Sequence, residues 1–382
     1  MPEETALQKV IDVVEDFSCP YQTDAYQEAF RSWRRKKQNP YAFRFTKNPK
    51  ETAFSESQSS AIQSPAQTEQ RVLSRLGSLI GYAMICYLII ENILDKFVVL
   101  LMQFLHLHIE IVFSGESRLY GDETLVFWVA LSIQFLKYLV PTLMLQAVLK
   151  LPVQVSIPLK IRKPNKLLSG FALVMLLSAG LGMLSAPMSA DLEKYRLMAG
   201  TTNPGNYKII IYILMTIFIL PLITELLLHG CMFQILRQFG DLFAAVSTAL
   251  LAAALTHNFF DALRIGLIHL TISYYLIHTG SFWSAACLRI VHEIYMFAIF
   301  YLETYDSIGS REWWIVLLLP CLLSAGAIVH FFLTKNKTAP PTDQNITYLN
   351  LREKAEAFFT AMPMVGFLIC SILLLTITAM LT

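Results

Sequence analysis

Charge is what this sequence has little of. Asp, Glu, Lys and Arg make up 15% of its 382 residues against 55% hydrophobic ones, and the mean hydropathy is +0.51. A soluble domain carries about 25% charged residues, so the shortage excludes that class and predicts a polytopic membrane protein. A formal net charge of +2 supplies no basic excess for a nucleic-acid partner, and none is expected. Cys19, Cys86, Cys231, Cys287, Cys321 and Cys370 form no CxxC pair and mostly sit in apolar runs. That excludes a disulfide scaffold and a thiolate metal site. The chain lacks the charged-then-apolar opening of a secretory signal, so Met1 is expected to begin the mature protein. It also lacks a repeat of solenoid period.

What is present divides into four parts. Residues 1–75 read as a polar amino-terminal region and flexible tether, 76–206 as amino-terminal transmembrane helices, 207–303 as a core, and 304–382 as carboxyl-terminal transmembrane helices. Leu7, Val10, Ile11, Val14 and Phe17 recur at helical spacing and predict a short amphipathic helix. Trp33-Arg34-Arg35-Lys36-Lys37, with Tyr41, Phe43 and Phe45, reads either as a headgroup-resting mix or as a solvated charge run. Ser55 to Gln70 reads as the tether. A crossing helix needs about 20 apolar residues. On that measure the spans are an interrupted first region from Leu76 to Phe113, then Leu125–Leu149, Leu167–Met188, Tyr207–Leu236, Leu242–Asn258, Ala262–His278, Phe282–Tyr301, Trp313–Leu333 and Met362–Leu381. The expected fold is all-α, a polytopic transmembrane helical bundle of about nine spans. Lys and Arg in the amino-terminal region, at Lys150 to Lys166 and at Lys335 to Lys354 set the amino terminus in the cytoplasm. The protein is thus expected to be a multi-pass integral protein of the cell membrane.

Within the apolar segments, Glu225, His229, His257, Asp261, Arg264, His269, His278, Arg289, His292 and Glu293 cluster between Pro221 and Met296. Ionisable groups in hydrocarbon are costly and mark functional sites by default. Glu225 and His229, and likewise His257 and Asp261, stand four apart on one helix face. A carboxylate beside an imidazole can hold a water and take its proton. Glu225, His229, His257 and His292 could equally hold a divalent metal such as zinc, or satisfy one another as glue between helices. Among the remaining groups, Asn258 and Asp261 read as a helix cap or interface. Arg289 and Glu293 read as an intrahelical pair, His269 and His278 as interhelical hydrogen bonders, His106 and His108 as surface groups, and Trp313-Trp314 as an interfacial anchor.

Pro221-Leu222-Ile223-Thr224-Glu225-Leu226-Leu227-Leu228-His229-Gly230, then a helix with His257, then Thr279-Gly280-Ser281-Phe282-Trp283 before His292, resembles the core of the CAAX protease and bacteriocin-processing (CPBP, ABI) family of intramembrane endopeptidases. The resemblance covers about Lys208 to Met296, and Tyr138 to Leu151 more loosely. The family's motifs are EExxxR, FxxxH and HxxxN. The resemblance implies a CAAX protease-like core and hydrolysis of a peptide bond by a water that glutamate and histidine activate. Glu225 matches the second glutamate, His257 the second-motif histidine and His292 the third-motif histidine. Glu225 and His257 are then the water-activating pair, His292 the oxyanion donor and His229 the group that orients Glu225.

The chain departs from the motifs at four positions. Thr224 replaces the first glutamate, His229 the arginine, Ala253 the phenylalanine and Met296 the asparagine. Thr224 cannot act as a carboxylate base. Met296 removes an amide donor whose loss costs about 3 kcal/mol of transition-state stabilisation. His229 in place of arginine favours the metal alternative. Two function classes follow: an endopeptidase acting on membrane-associated peptide or protein substrates, with membrane lipids as its other partner, or a catalytically impaired relative acting as a membrane binding, immunity or regulatory protein. Transport of a polar solute is a weaker third reading, because paired Gly or Pro breaks are lacking.

Overall fold

The computed structural model describes residues 11–47, 64–107, 109–114, 116–162, 164–185, 207–305, parts of 314–329, and 345–381. Helices dominate, as expected. Among the described residues the strands are two short antiparallel pairs, β1 (Ile11–Asp12) with β2 (Thr46–Lys47) and β3 (Ile109–Ser114) with β4 (Glu116–Gly121). Among the described residues six helices are long and apolar enough to cross a membrane: Pro65–Leu94, Thr124–Leu149, Ile210–Phe239, Phe259–Thr279, Phe282–Leu302 and Met362–Met380. Lys166–Leu181, Asp241–Ala254 and Trp314–Gly326 are shorter apolar helices. The expected spans thus divide into long and short helices, and length alone supports six crossings.

The residues before the first long helix form a cap on one end of the bundle. Helix α1 (Asp24–Arg35) starts at Thr23, whose side chain accepts from the Tyr26 amide. It buries Tyr26, Phe30 and Trp33 beside Phe17 and Phe43. The Trp33 indole donates to Leu149 O at 2.8 Å, and both Arg34 Nε and Nη2 reach Phe43 O. Trp33 and Arg34 are therefore cap interior, whereas Arg35, Lys36 and Lys37 are exposed, as a solvated charge run would be. The expected amphipathic helix also fails over its described half, because Ile11 and Asp12 pair with Lys47 and Thr46; Leu7 and Val10 lie outside the described residues, as do residues 55–63 of the expected tether, whose remainder from Pro65 to Gln70 is helical rather than flexible. Trp33→Phe keeps the ring and strands a buried carbonyl. It is expected to cost about 1–3 kcal/mol, seen as a lower Tm in detergent with the helix content unchanged.

Helix α2 (Pro65–Ile89) begins with a capping box between Ser64 and Gln67 and a proline at its first position. It opens into a π-helical turn at Ile90–Leu94 and resumes as α3 (Asp95–Phe104), and the β3–β4 hairpin follows. The first apolar region is thus a long helix plus a separate interrupted piece. Gly77 and Gly81 face the carboxyl-terminal helices α11 (Leu351–Phe359) and α12 (Met362–Leu381). A Cβ at Gly77 would lie 2.2 Å from Phe358 O, and one at Gly81 would lie 2.4 Å from Met364 N. Small residues four apart allow this backbone approach.

The core helices are α4 (Glu123–Leu149), α6 (Asn165–Ser185), α7 (Ile210–Phe239), α8 (Asp241–Ala254), α9 (Phe259–Thr279) and α10 (Phe282–Tyr305), with the one-turn α5 (Val153–Ser156) between α4 and α6. Asn258 caps α9, its side chain accepting from the Phe260 and Asp261 amides at 2.9 and 3.4 Å, as the sequence suggested. Gly280 ends it at φ +70°. That left-handed turn sends α10 back antiparallel along α9.

Candidate functional site

Pro221 shapes the helix that carries the first motif. It has no N–H to give, so the ladder of α7 slips around it. Two π-helical stretches, Leu214–Ile219 and Leu226–Met232, bracket the α-helical turn Leu220–Glu225. Such π segments recur at functional sites. Gly230 lies in the second, where an added Cβ would meet Ser156 O at 3.0 Å. Its lack of a side chain lets α5 pack beside His229.

Glu225 and His229 are both fully buried. His229 Nδ1 lies 2.5 Å from Glu225 Oε2, and its Nε2 lies 2.9 Å from the Ser273 hydroxyl. An unpaired carboxylate here would be very costly, and this pairing is what makes the site tolerable. The expected link between Glu225 and His229 is present. Thr224 turns its hydroxyl to Leu220 O at 2.9 Å.

The histidine of α9 that meets this pair is His269. Its Nδ1 stands 3.6 Å from Glu225 Oε1, and its ring stacks on His229 with centroids 5.4 Å apart. Ligand-type atoms of Glu225, His229 and His269 all fall within 4.8 Å of one another. His292, Arg289 and His229 lie close enough to His269 to interact with it electrostatically. The hairpin at Gly280 explains the convergence: His269 and His292 are almost equally far from the turn on antiparallel helices.

His257 goes elsewhere. It precedes the first residue of α9, and ten residues of helix carry His269 about 15 Å further along. Its Nε2 bonds Glu91 Oε2 at 2.9 Å, and Lys137 from mid-α4 holds Glu91 Oε1 at 2.8 Å. The Tyr87 hydroxyl donates to the same oxygen at 3.0 Å. This is a second polar cluster, which sequence reasoning missed although Glu91 and Lys137 are charges inside apolar runs. The four-residue metal set is therefore not assembled as expected: Glu225 and His229 are joined by His269, with His257 bonded to Glu91.

His292 reaches back to α6. The Ser178 hydroxyl lies 2.7 Å from Val174 O, to which it donates, and 2.8 Å from His292 Nδ1. On the same helix Arg289 pairs with Glu293 at 2.7 Å, as the spacing indicated. Met296 accepts a contact from Arg264 at 3.4 Å, and Arg264 is ion-paired to Asp261 at 2.6 Å. His278 bonds its own helix at Tyr274 O and stacks against Tyr21.

Long apolar helices enclosing a buried Glu–His centre define an integral membrane helical bundle. Residues 206–295 match the family described as type II CAAX prenyl endopeptidase Rce1-like. The resemblance to CAAX proteases is borne out over that stretch, which runs from before α7 into α10. No curated protein and no solved structure matches the chain.

Proposed function

We propose that this protein is an intramembrane endopeptidase of the CAAX-protease type, in which Glu225 and His269 activate the attacking water. The observation that carries the reading is the 3.6 Å separation of Glu225 Oε1 and His269 Nδ1. Both atoms are buried and lack a hydrogen-bond partner. In this reading the attacking water sits against these two atoms. In the proposed reaction Glu225 takes a proton from that water, the resulting hydroxide adds to the peptide carbonyl, and the proton passes to the leaving amine as the C–N bond breaks. His229 holds Glu225 through Oε2, leaving Oε1 for the water. His292 donates to the oxyanion through its buried Nε2. Segment 207–303 carries this chemistry. The cap faces the cytoplasm, and substrates are peptides or proteins that approach along the membrane.

The test is release of peptide from a membrane-anchored substrate library by the purified full-length protein. His269→Ala is expected to lower the rate at least about 100-fold, and His257→Ala to change it by less than about threefold, because His257 serves Glu91. The opposite ranking would return the water-activating role to His257. A second reading, a catalytically impaired relative that binds a membrane partner, is favoured by Thr224, whose hydroxyl is committed to Leu220 O, and by the lost amide at Met296. Folded wild-type protein that releases nothing would select it.

A further inference from the structure

We infer that Glu225, His229 and His269 form a binding site for one divalent transition-metal ion of the zinc class. This goes beyond the peptidase reading and holds whether or not the chain cleaves peptides. The argument begins with the replacement of the motif arginine by His229. A permanent cation four residues from Glu225 would exclude a metal, whereas an imidazole supplies a ligand.

The donors converge from two helices. Their ligand atoms lie within 4.8 Å of one another, and all three residues are buried. Two zinc bonds of about 2.1 Å at a tetrahedral angle place their donors about 3.4 Å apart. Glu225 Oε1 and His269 Nδ1 stand at 3.6 Å, and neither has a hydrogen-bond partner although both are sealed from solvent. Buried polar atoms left in that state call for an occupant. A water satisfies those two atoms. A cation also takes His229 Nδ1, which at 2.5 Å now shares a proton with Glu225 Oε2.

The outer hydrogen bond is in place too. His229 Nε2 lies 2.9 Å from Ser273 Oγ, so the imidazole can bind a metal through Nδ1 while donating Nε2–H to the hydroxyl. Such a bond fixes ring orientation and tautomer in metal sites. The nearby cation Arg289 is neutralised by Glu293 at 2.7 Å. Two imidazoles and one carboxylate suit zinc or cobalt and disfavour magnesium and calcium, which prefer oxygen ligands. Three protein ligands leave a further position open.

The experiment uses full-length protein in detergent micelles, stripped with a chelator and titrated with Co²⁺, then with Zn²⁺. Expected are one ion per chain, visible cobalt d–d bands that zinc bleaches, and no uptake of Mg²⁺. H229R and H269A should bind at least about 100-fold more weakly, and S273A about 10–100-fold more weakly. H278A, which alters a histidine bonded to Tyr274 O, should match the wild type. Absence of stoichiometric uptake by wild-type protein overturns the inference, whatever the variants do. So does equal uptake by wild type, H229R and H269A. The readout is the bound metal, so peptide release that fails or succeeds leaves this result separately decided.

Discussion

Glu225→Gln is expected to cut peptide release by about 10²–10⁴-fold while the protein stays folded. The amide matches the carboxylate in size and can still hydrogen-bond to His229 Nδ1, which lies 2.5 Å from Oε2 in the native protein. It cannot take a proton. Since the side chain is fully buried, removing its charge also removes a desolvation penalty, and thermal stability in detergent should not fall by more than about 1 kcal/mol. Initial rates measured beside melting curves separate the two effects. A glutamine variant that retains more than a tenth of the wild-type rate would exclude Glu225 as the base. Thr224 stands beside it where the motif has another glutamate.

Gly81→Leu is expected to disrupt the fold, with a loss above about 4 kcal/mol. Even the first carbon of the new side chain would sit 2.4 Å from Met364 N and 2.6 Å from Pro363 C, and these are backbone atoms that cannot swing aside. The amino-terminal helix and the last helix would have to separate. Loss of monodisperse protein after detergent extraction is the readout. Gly366→Ala, in the facing helix, is the matched control: its new carbon would meet nothing nearer than Ile85 Cδ1 at 3.8 Å, and stability should hold within about 0.5 kcal/mol. Equal damage from both would show that the contact between these helices does not carry the stability assigned to it.

Much of the core was legible before any coordinates. Apolar length located the helices, and Asn258 announced the start of α9. The four-residue spacing put Glu225 beside His229 and Arg289 beside Glu293. These are local facts, settled by helix period and by which side chains cap a helix.

The second histidine was a different kind of question. His257 has the better local setting, a polar loop with Asn258 and Asp261, whereas His269 sits in an apolar run where a buried hydrogen bonder is unremarkable. One signal could have decided it: equal residue counts on either side of the Gly280 turn pair His269 with His292. The headgroup reading of Trp33 and Arg34 failed for a related reason, because the burial of these two residues depends on Leu149 and Phe43, which are distant or folded back in the chain.

The sequence by itself therefore determined the class, the helices, their caps and the Glu225–His229 pair, since each depends on neighbours within a turn or two of helix. Only the tertiary structure decided that His269 completes the centre, that His257 serves Glu91 and Lys137, and that Trp33 and Arg34, at the head of the basic amino-terminal stretch, are buried. Those choices depend on how antiparallel helices align in depth and which faces they turn to one another. Packing sets that alignment along the whole length of several helices, and no single segment encodes it.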